Sequence, residues 1–163
     1  MKTGLAAILN HGGKKLWVSD CTKDLKKKNK FDLLISDARS EGLSFCEMSS
    51  SEMRYAIDQI MFRGAAVCGC PLPQTELFAK FIAEEIESYI LNFGFNELTL
   101  NEVVLAFKMN IGHKIKNSLG EDLTCVEFYG NTINVSFIGK VLSNYMVIRK
   151  GIEARIINQL EGY

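Results

Sequence analysis

Apolar residues recur at helical spacing from about residue 49 onward and much less regularly before it. Met53, Ile57, Ile60 and Met61 stand at i, i+4, i+7 and i+8, the buried stripe of an amphipathic helix. Ahead of them Ser49-x-x-Glu52 has the form of a capping box, in which each side chain satisfies an orphan amide, and Gly64 reads as the stop. Pro71 and Pro73, the only prolines, mark a turn. The pattern then predicts a second helix over about 74–92. Its stripe of Leu77, Phe78, Phe81, Ile82, Ile86, Tyr89 and Ile90 is assigned to the core, with Glu84, Glu85 and Glu87 facing solvent. Thr99-x-x-Glu102 is a second capping box, with Leu98 placed to staple onto Val103. Val103, Val104 and Phe107 form the buried face of that third helix, which stops at Asn110 to Gly112. Asn134 caps a long final helix reaching about residue 160, along which Ile138, Val141, Leu142, Tyr145, Ile148, Ile152, Ile156 and Leu160 keep helical spacing. Gly139 and Gly151 lie inside it, and a break is expected near Gly151.

The first 48 residues read differently. Residues 3–9 suit one or two helical turns ended by Gly12-Gly13, while Leu16-Trp17-Val18 and residues 31–35 read as short strands. Residues 124–129 are rich in β-formers and predict a short strand or an extended loop. The expected fold is mainly α: a compact helical bundle over residues 49–163, preceded by a basic N-terminal arm, residues 1–48, of minor strand content.

Length and composition fit this picture. At 163 residues and 47% hydrophobic, the chain can bury a core as one compact domain, which excludes disorder over most of its length. No run is long enough for a membrane span, and the first ten residues are too short for a signal peptide. Five cysteines, an odd number without framework spacing, predict free thiols in a cytoplasm.

Charge is balanced in total and uneven in layout. Residues 1–30 carry eight lysines against two aspartates, a net of +6, whereas residues 71–107 carry one lysine against six glutamates, a net of −5. Lys14, Lys15, Lys26, Lys27, Lys28 and Lys30 are the first candidates for contact with nucleic acid or an acidic protein groove. Glu84, Glu85 and Glu87 are the second, as a protein-facing patch or a mimic of nucleic-acid charge. A net charge of zero argues against autonomous coating of DNA, which accumulates phosphate contacts.

Candidate chemistry is sparse. Gly12-Gly13-Lys14-Lys15 lacks the spacing of a phosphate loop, and neither a Gly-x-Ser-x-Gly elbow nor a His-Glu-x-x-His pair occurs. His113, beside Gly112, reads as a helix C-terminal cap and His11 as a turn residue. Cys68 and Cys70 flank one glycine and have no second ligand pair nearby, so a packed turn is preferred to zinc or thiol redox chemistry. Glu84, Glu85 and Glu87 with Glu76 or Asp58 would be the ligands of a metal-dependent nuclease, but on a solvated helix face they lack a shaped cavity. No enzyme, cofactor or metal is expected.

Two stretches carry a resemblance. Residues 98–110, with Leu98-Thr99, Glu102-Val103 and Ala106-Phe107, precede residues 135–145, with Phe137-Ile138, Val141-Leu142 and Tyr145. Together they resemble small, mostly uncharacterised proteins of bacteriophages and prophages, over some 60–90 residues of the C-terminal two-thirds. The arm and the segment 121–133 depart from that pattern. The resemblance implies a protein of the infected bacterium's cytoplasm. It implies first a non-enzymatic anti-defence inhibitor, of the anti-CRISPR type, that binds a host RNA-guided nuclease or its guide RNA. The alternative is a DNA-replication accessory protein whose partner is the replicative helicase or single-strand binding protein. A homodimer through the final helix, by way of Tyr145 with Ile148 or Ile152, is a further expectation.

Overall fold

The computed structural model describes residues 30–111, 115–116, 122–123 and 125–161. Among the described residues five helices carry the fold: α1 Lys30–Ser40, α2 Ser50–Cys68, α3 Glu76–Asn92, α4 Leu100–Met109 and α5 Val135–Glu161. A 3-10 turn, Phe45–Glu47, links α1 to α2, and Ile115–Lys116 pairs antiparallel with Asp122–Leu123 between α4 and α5. The protein is mainly helical and closely packed.

The caps form where the sequence places them. Glu52 N–H donates to Ser49 Oγ while Ser49 N–H donates to Glu52 Oε1, at 3.3 and 3.0 Å. The bond from Ser49 N–H, followed by the Ser49 hydroxyl, holds the exposed Glu52 carboxyl below its usual range. The Thr99–Glu102 box has the same reciprocal bonds, at 3.1 and 3.2 Å. Asn134 Oδ1 accepts from Phe137 N–H at 2.9 Å and opens α5. The second helix starts slightly later than expected, with Thr75 as its cap.

α4 is the hub. Glu102, Val103, Leu105, Ala106, Phe107 and Met109 are all buried, so the helix is enclosed on nearly every side. It packs against α1, α2 and α5, while α3 leans on α2 and α5. The strand expected over 31–35 is instead the start of α1. Asp32, Ile35 and Ser36 are buried at helical spacing, whereas Leu33 and Leu34 are exposed. Contact with α4 decides the matter, because an inward face of period three to four seats on a helix and a two-residue period does not. Ile35 and Phe45 also belong to the central core, so the packed body extends upstream of residue 49. The bonds from Phe45 N–H to Leu98 O and from Cys46 N–H to Asn96 O fasten this region to the entry of α4.

Two glycines correct the reading of helix ends. α2 runs through Gly64 and stops at Gly69, which adopts φ +74° and returns its N–H to Ala65 O at 3.0 Å. Gly64 is needed for space: a Cβ there would lie 2.4 Å from Ile133 Cδ1 and 3.2 Å from the Phe107 ring. α5 likewise continues unbroken through Gly151. Residues 125–129 form an extended loop, clamped where Asn110 Nδ2 donates to Val126 O and Val126 N–H donates to Asn110 Oδ1, at 2.9 and 2.7 Å.

No described helix is long and apolar enough to cross a membrane. The suggested turns over 3–9 and the strand Leu16-Trp17-Val18 lie outside the described residues.

Candidate functional site

Three helices meet at a buried polar cluster. Glu102 on α4 is fully buried, and its Oε2 accepts from Tyr145 Oη at 2.6 Å and from Arg149 Nε at 2.8 Å, both on α5. Arg149 Nη1 reaches Glu153 Oε1 at 3.3 Å, and Glu153 also pairs with Arg39 of α1. Thr99 Oγ1 donates to Ala38 O at 2.8 Å and closes the circuit onto α1. Burial, then the neighbouring Glu102 carboxylate, pushes the Tyr145 hydroxyl well above its usual value and keeps it a donor. Burial, followed by Arg149, lowers Arg39. Every charge here has an opposite partner, so this cluster locks helices together. The sequence shows Glu102 only as a cap residue. For the buried cluster it marks only the partners: Tyr145 and Arg149 stand at i, i+4 on a helix otherwise apolar on that face, and nothing in that spacing points to Glu102.

A cluster of exposed apolar side chains lies on α3. The true core stripe of that helix is Ile82, Ile86 and Ile90. Leu77, Phe78 and Phe81, assigned to the core from sequence, are instead 65%, 48% and 55% exposed. At 100° per residue Leu77 and Phe81 fall on the side opposite the isoleucines and Phe78 on the flank between, with Phe81 next to Leu77 at i+4 and to Phe78 at i+3. The seven-residue stripe read from the sequence spans about 220° of the helix, wider than the roughly 100° that a core face requires. That excess width was the available signal.

The flank of α3 toward α2 is a groove of about 610 Å³. Ile57, Met61, Phe62 and Leu72 are among its apolar walls. Asp58, Glu76, Glu84 and Glu87 bring four carboxylates to its lining, against Arg54 and Lys80. The acidic trio is therefore split. Glu84 and Glu87 line this groove while Glu85 lies outside it; Glu84 and Glu85 are exposed and Glu87 half-buried, as expected of a face largely toward solvent. Among the described residues no three His, Cys, Asp or Glu side chains are grouped closely enough to hold a metal ion.

Of the basic candidates, Lys30 begins α1, and Lys14, Lys15, Lys26, Lys27 and Lys28 lie outside the described residues, as do His11 and His113. Cys68 donates weakly to Phe107 O, and burial, then Cys70, pushes its thiol up to about 11. Such a thiol is a poor nucleophile at neutral pH. Tyr145 and Ile152, expected to face a second copy, are buried within the protomer because the polar cluster and core claim that side of α5.

No protein-family model, curated protein or solved structure matches the chain.

Proposed function

We propose that this chain is a non-enzymatic binding protein that docks on another protein through the outward face of α3. The supporting observation is the triad Leu77, Phe78 and Phe81, exposed together on a helix whose opposite side is firmly in the core. Clustered exposed aromatic and leucine side chains cost solubility unless a partner covers them, and aromatic anchors dominate binding energy at interfaces. Glu85 beside them and Glu84 at the groove edge supply the charged rim such interfaces carry.

The resemblance to bacteriophage proteins makes a host RNA-guided nuclease, with or without its guide RNA, the first partner to test. In this reading the chain inhibits by occupying a surface of the nuclease, inside the bacterial cytoplasm. Purified nuclease–guide complex, replicative helicase and single-strand binding protein are each titrated with the intact chain and with a Phe78→Ser/Phe81→Ser variant. Binding to the nuclease that falls at least tenfold in the variant, about 1.4 kcal/mol, is the expected result. Binding to the helicase or single-strand binding protein alone would replace the inhibitor reading with the replication one. Equal affinity of the two chains would remove α3 from the interface.

A further inference from the structure

The groove between α2 and α3 is open because two of its lining side chains are small. Ala79 and Ala83, one turn apart on α3, carry nothing beyond Cβ, so their wall stands back from Ile57 and Met61, buried at i, i+4 on α2. Phe62 and Leu72 add exposed apolar surface to the lining. Glu76, Glu84 and Glu87 line the α3 side and Asp58 the α2 side, and none of the four makes an ion pair with another described residue. Against Arg54 and Lys80 they leave the lining a net charge of −2. Among the described residues they are not grouped closely enough to hold a metal ion. From Glu76 to Glu87 the α3 wall runs for about 16 Å, or three turns.

We propose that this groove takes a basic amphipathic helix of a partner protein, about three turns long, with apolar residues on the floor and lysine or arginine against the carboxylates. Both walls are helices, whose backbone amides bond internally, so an extended peptide would gain no ladder of main-chain bonds here. A helix needs none, because it satisfies its own backbone and binds through side chains at i, i+3 or i+4 and i+7. The charge selects among partners. Phosphates of a nucleic acid or an anionic lipid surface would be repelled by the four carboxylates, whereas a cationic helix finds them without competing ion pairs. Such charges set orientation and the rate of encounter, and the apolar anchors carry the affinity. Leu77, Phe78 and Phe81 do not line the groove. The inference therefore stands apart from the docking reading of α3, and either can fail alone.

The probe is a fluorescein-labelled synthetic helix of about 12 residues, with leucine at i, i+4 and i+7, lysine on the opposite face and alanine elsewhere. It is titrated with the full chain and followed by anisotropy. One-to-one binding that weakens with added salt is expected. Affinity should fall at least tenfold for Phe62→Ser and for Glu84→Lys/Glu87→Lys, and severalfold for Glu84→Gln/Glu87→Gln, which keeps side-chain size. Phe62 and Glu84 are exposed and Glu87 half-buried, so circular dichroism should show all three variants as helical as the intact chain. Phe78→Ser/Phe81→Ser should bind the peptide as the intact chain does. Absence of binding overturns the proposal, as do groove variants of unchanged affinity. Equal binding of a peptide with its leucines scrambled, or with glutamate in place of lysine, overturns it too. Loss of binding in Phe78→Ser/Phe81→Ser would move the peptide onto the exposed triad. A dimer in sedimentation that Glu84→Lys/Glu87→Lys dissociates would give the groove to a second copy, and either result contradicts the proposal.

Discussion

Glu102 shows how one side chain can be legible in sequence for one function and silent about another. Its spacing from Thr99 identifies a cap, and that cap forms. Its burial beneath Tyr145 and Arg149 depends on how α5 crosses α4, which no local pattern encodes. Glu102→Ala leaves Arg149 buried without its partner and should cost about 3–5 kcal/mol in urea denaturation. Tyr145→Phe, which keeps the ion pair, should cost about 1.5–3 kcal/mol. Alkaline pH probes the same interior. Folding holds Cys68 protonated to about 11, from an ordinary value of 9.0, and raises Tyr145 above 10.0. A raised acid contributes its full stability below the unfolded pKa and loses it as pH climbs through the folded one. The thermal midpoint should therefore hold to about pH 9 and fall toward pH 11, less steeply in Cys68→Ala, with Cys46, which is exposed, alkylated well before Cys68 at neutral pH.

Among the elements, helices with both a cap and a stripe were readable to within a few residues, because caps are local hydrogen bonds and stripes repeat. What failed was the assignment of faces and stops. Gly64 resembles a stop from its position after Met61, yet its purpose is the approach of α2 to Phe107 and Ile133, a contact 43 and 69 residues away in sequence. Four of the five residues 31–35, all but Asp32, are β-compatible, and packing on α4 selects the helix. Glycine substitutions separate these causes. Gly64→Ala should lower stability by about 1–3 kcal/mol through overpacking. Gly69→Ala should cost about 1–2 kcal/mol through its left-handed backbone. Gly151→Ala, with nothing within 4 Å of the added carbon, should raise stability by about 0.5–1 kcal/mol. A common urea titration series would rank all three.

At the scale of the whole molecule, the chain buries one core around α4 and leaves a wide apolar face on α3 outside it. The mainly helical class was evident from periodicity alone. The candidate surface was hidden, because Leu77, Phe78 and Phe81 look like core residues until the packing shows that Ile82, Ile86 and Ile90 fill that place. Leu142, fully buried, gives the contrast: Leu142→Ala should cost about 2–5 kcal/mol. The decisive measurement takes the Phe78→Ser/Phe81→Ser chain and determines, on one preparation, its urea midpoint and its affinity for the purified nuclease–guide complex. A surface built for a partner predicts stability within about 0.5 kcal/mol of the intact chain and affinity at least tenfold weaker. A collapsed midpoint would return both phenylalanines to the core, and unchanged affinity would show that α3 is not where this protein binds.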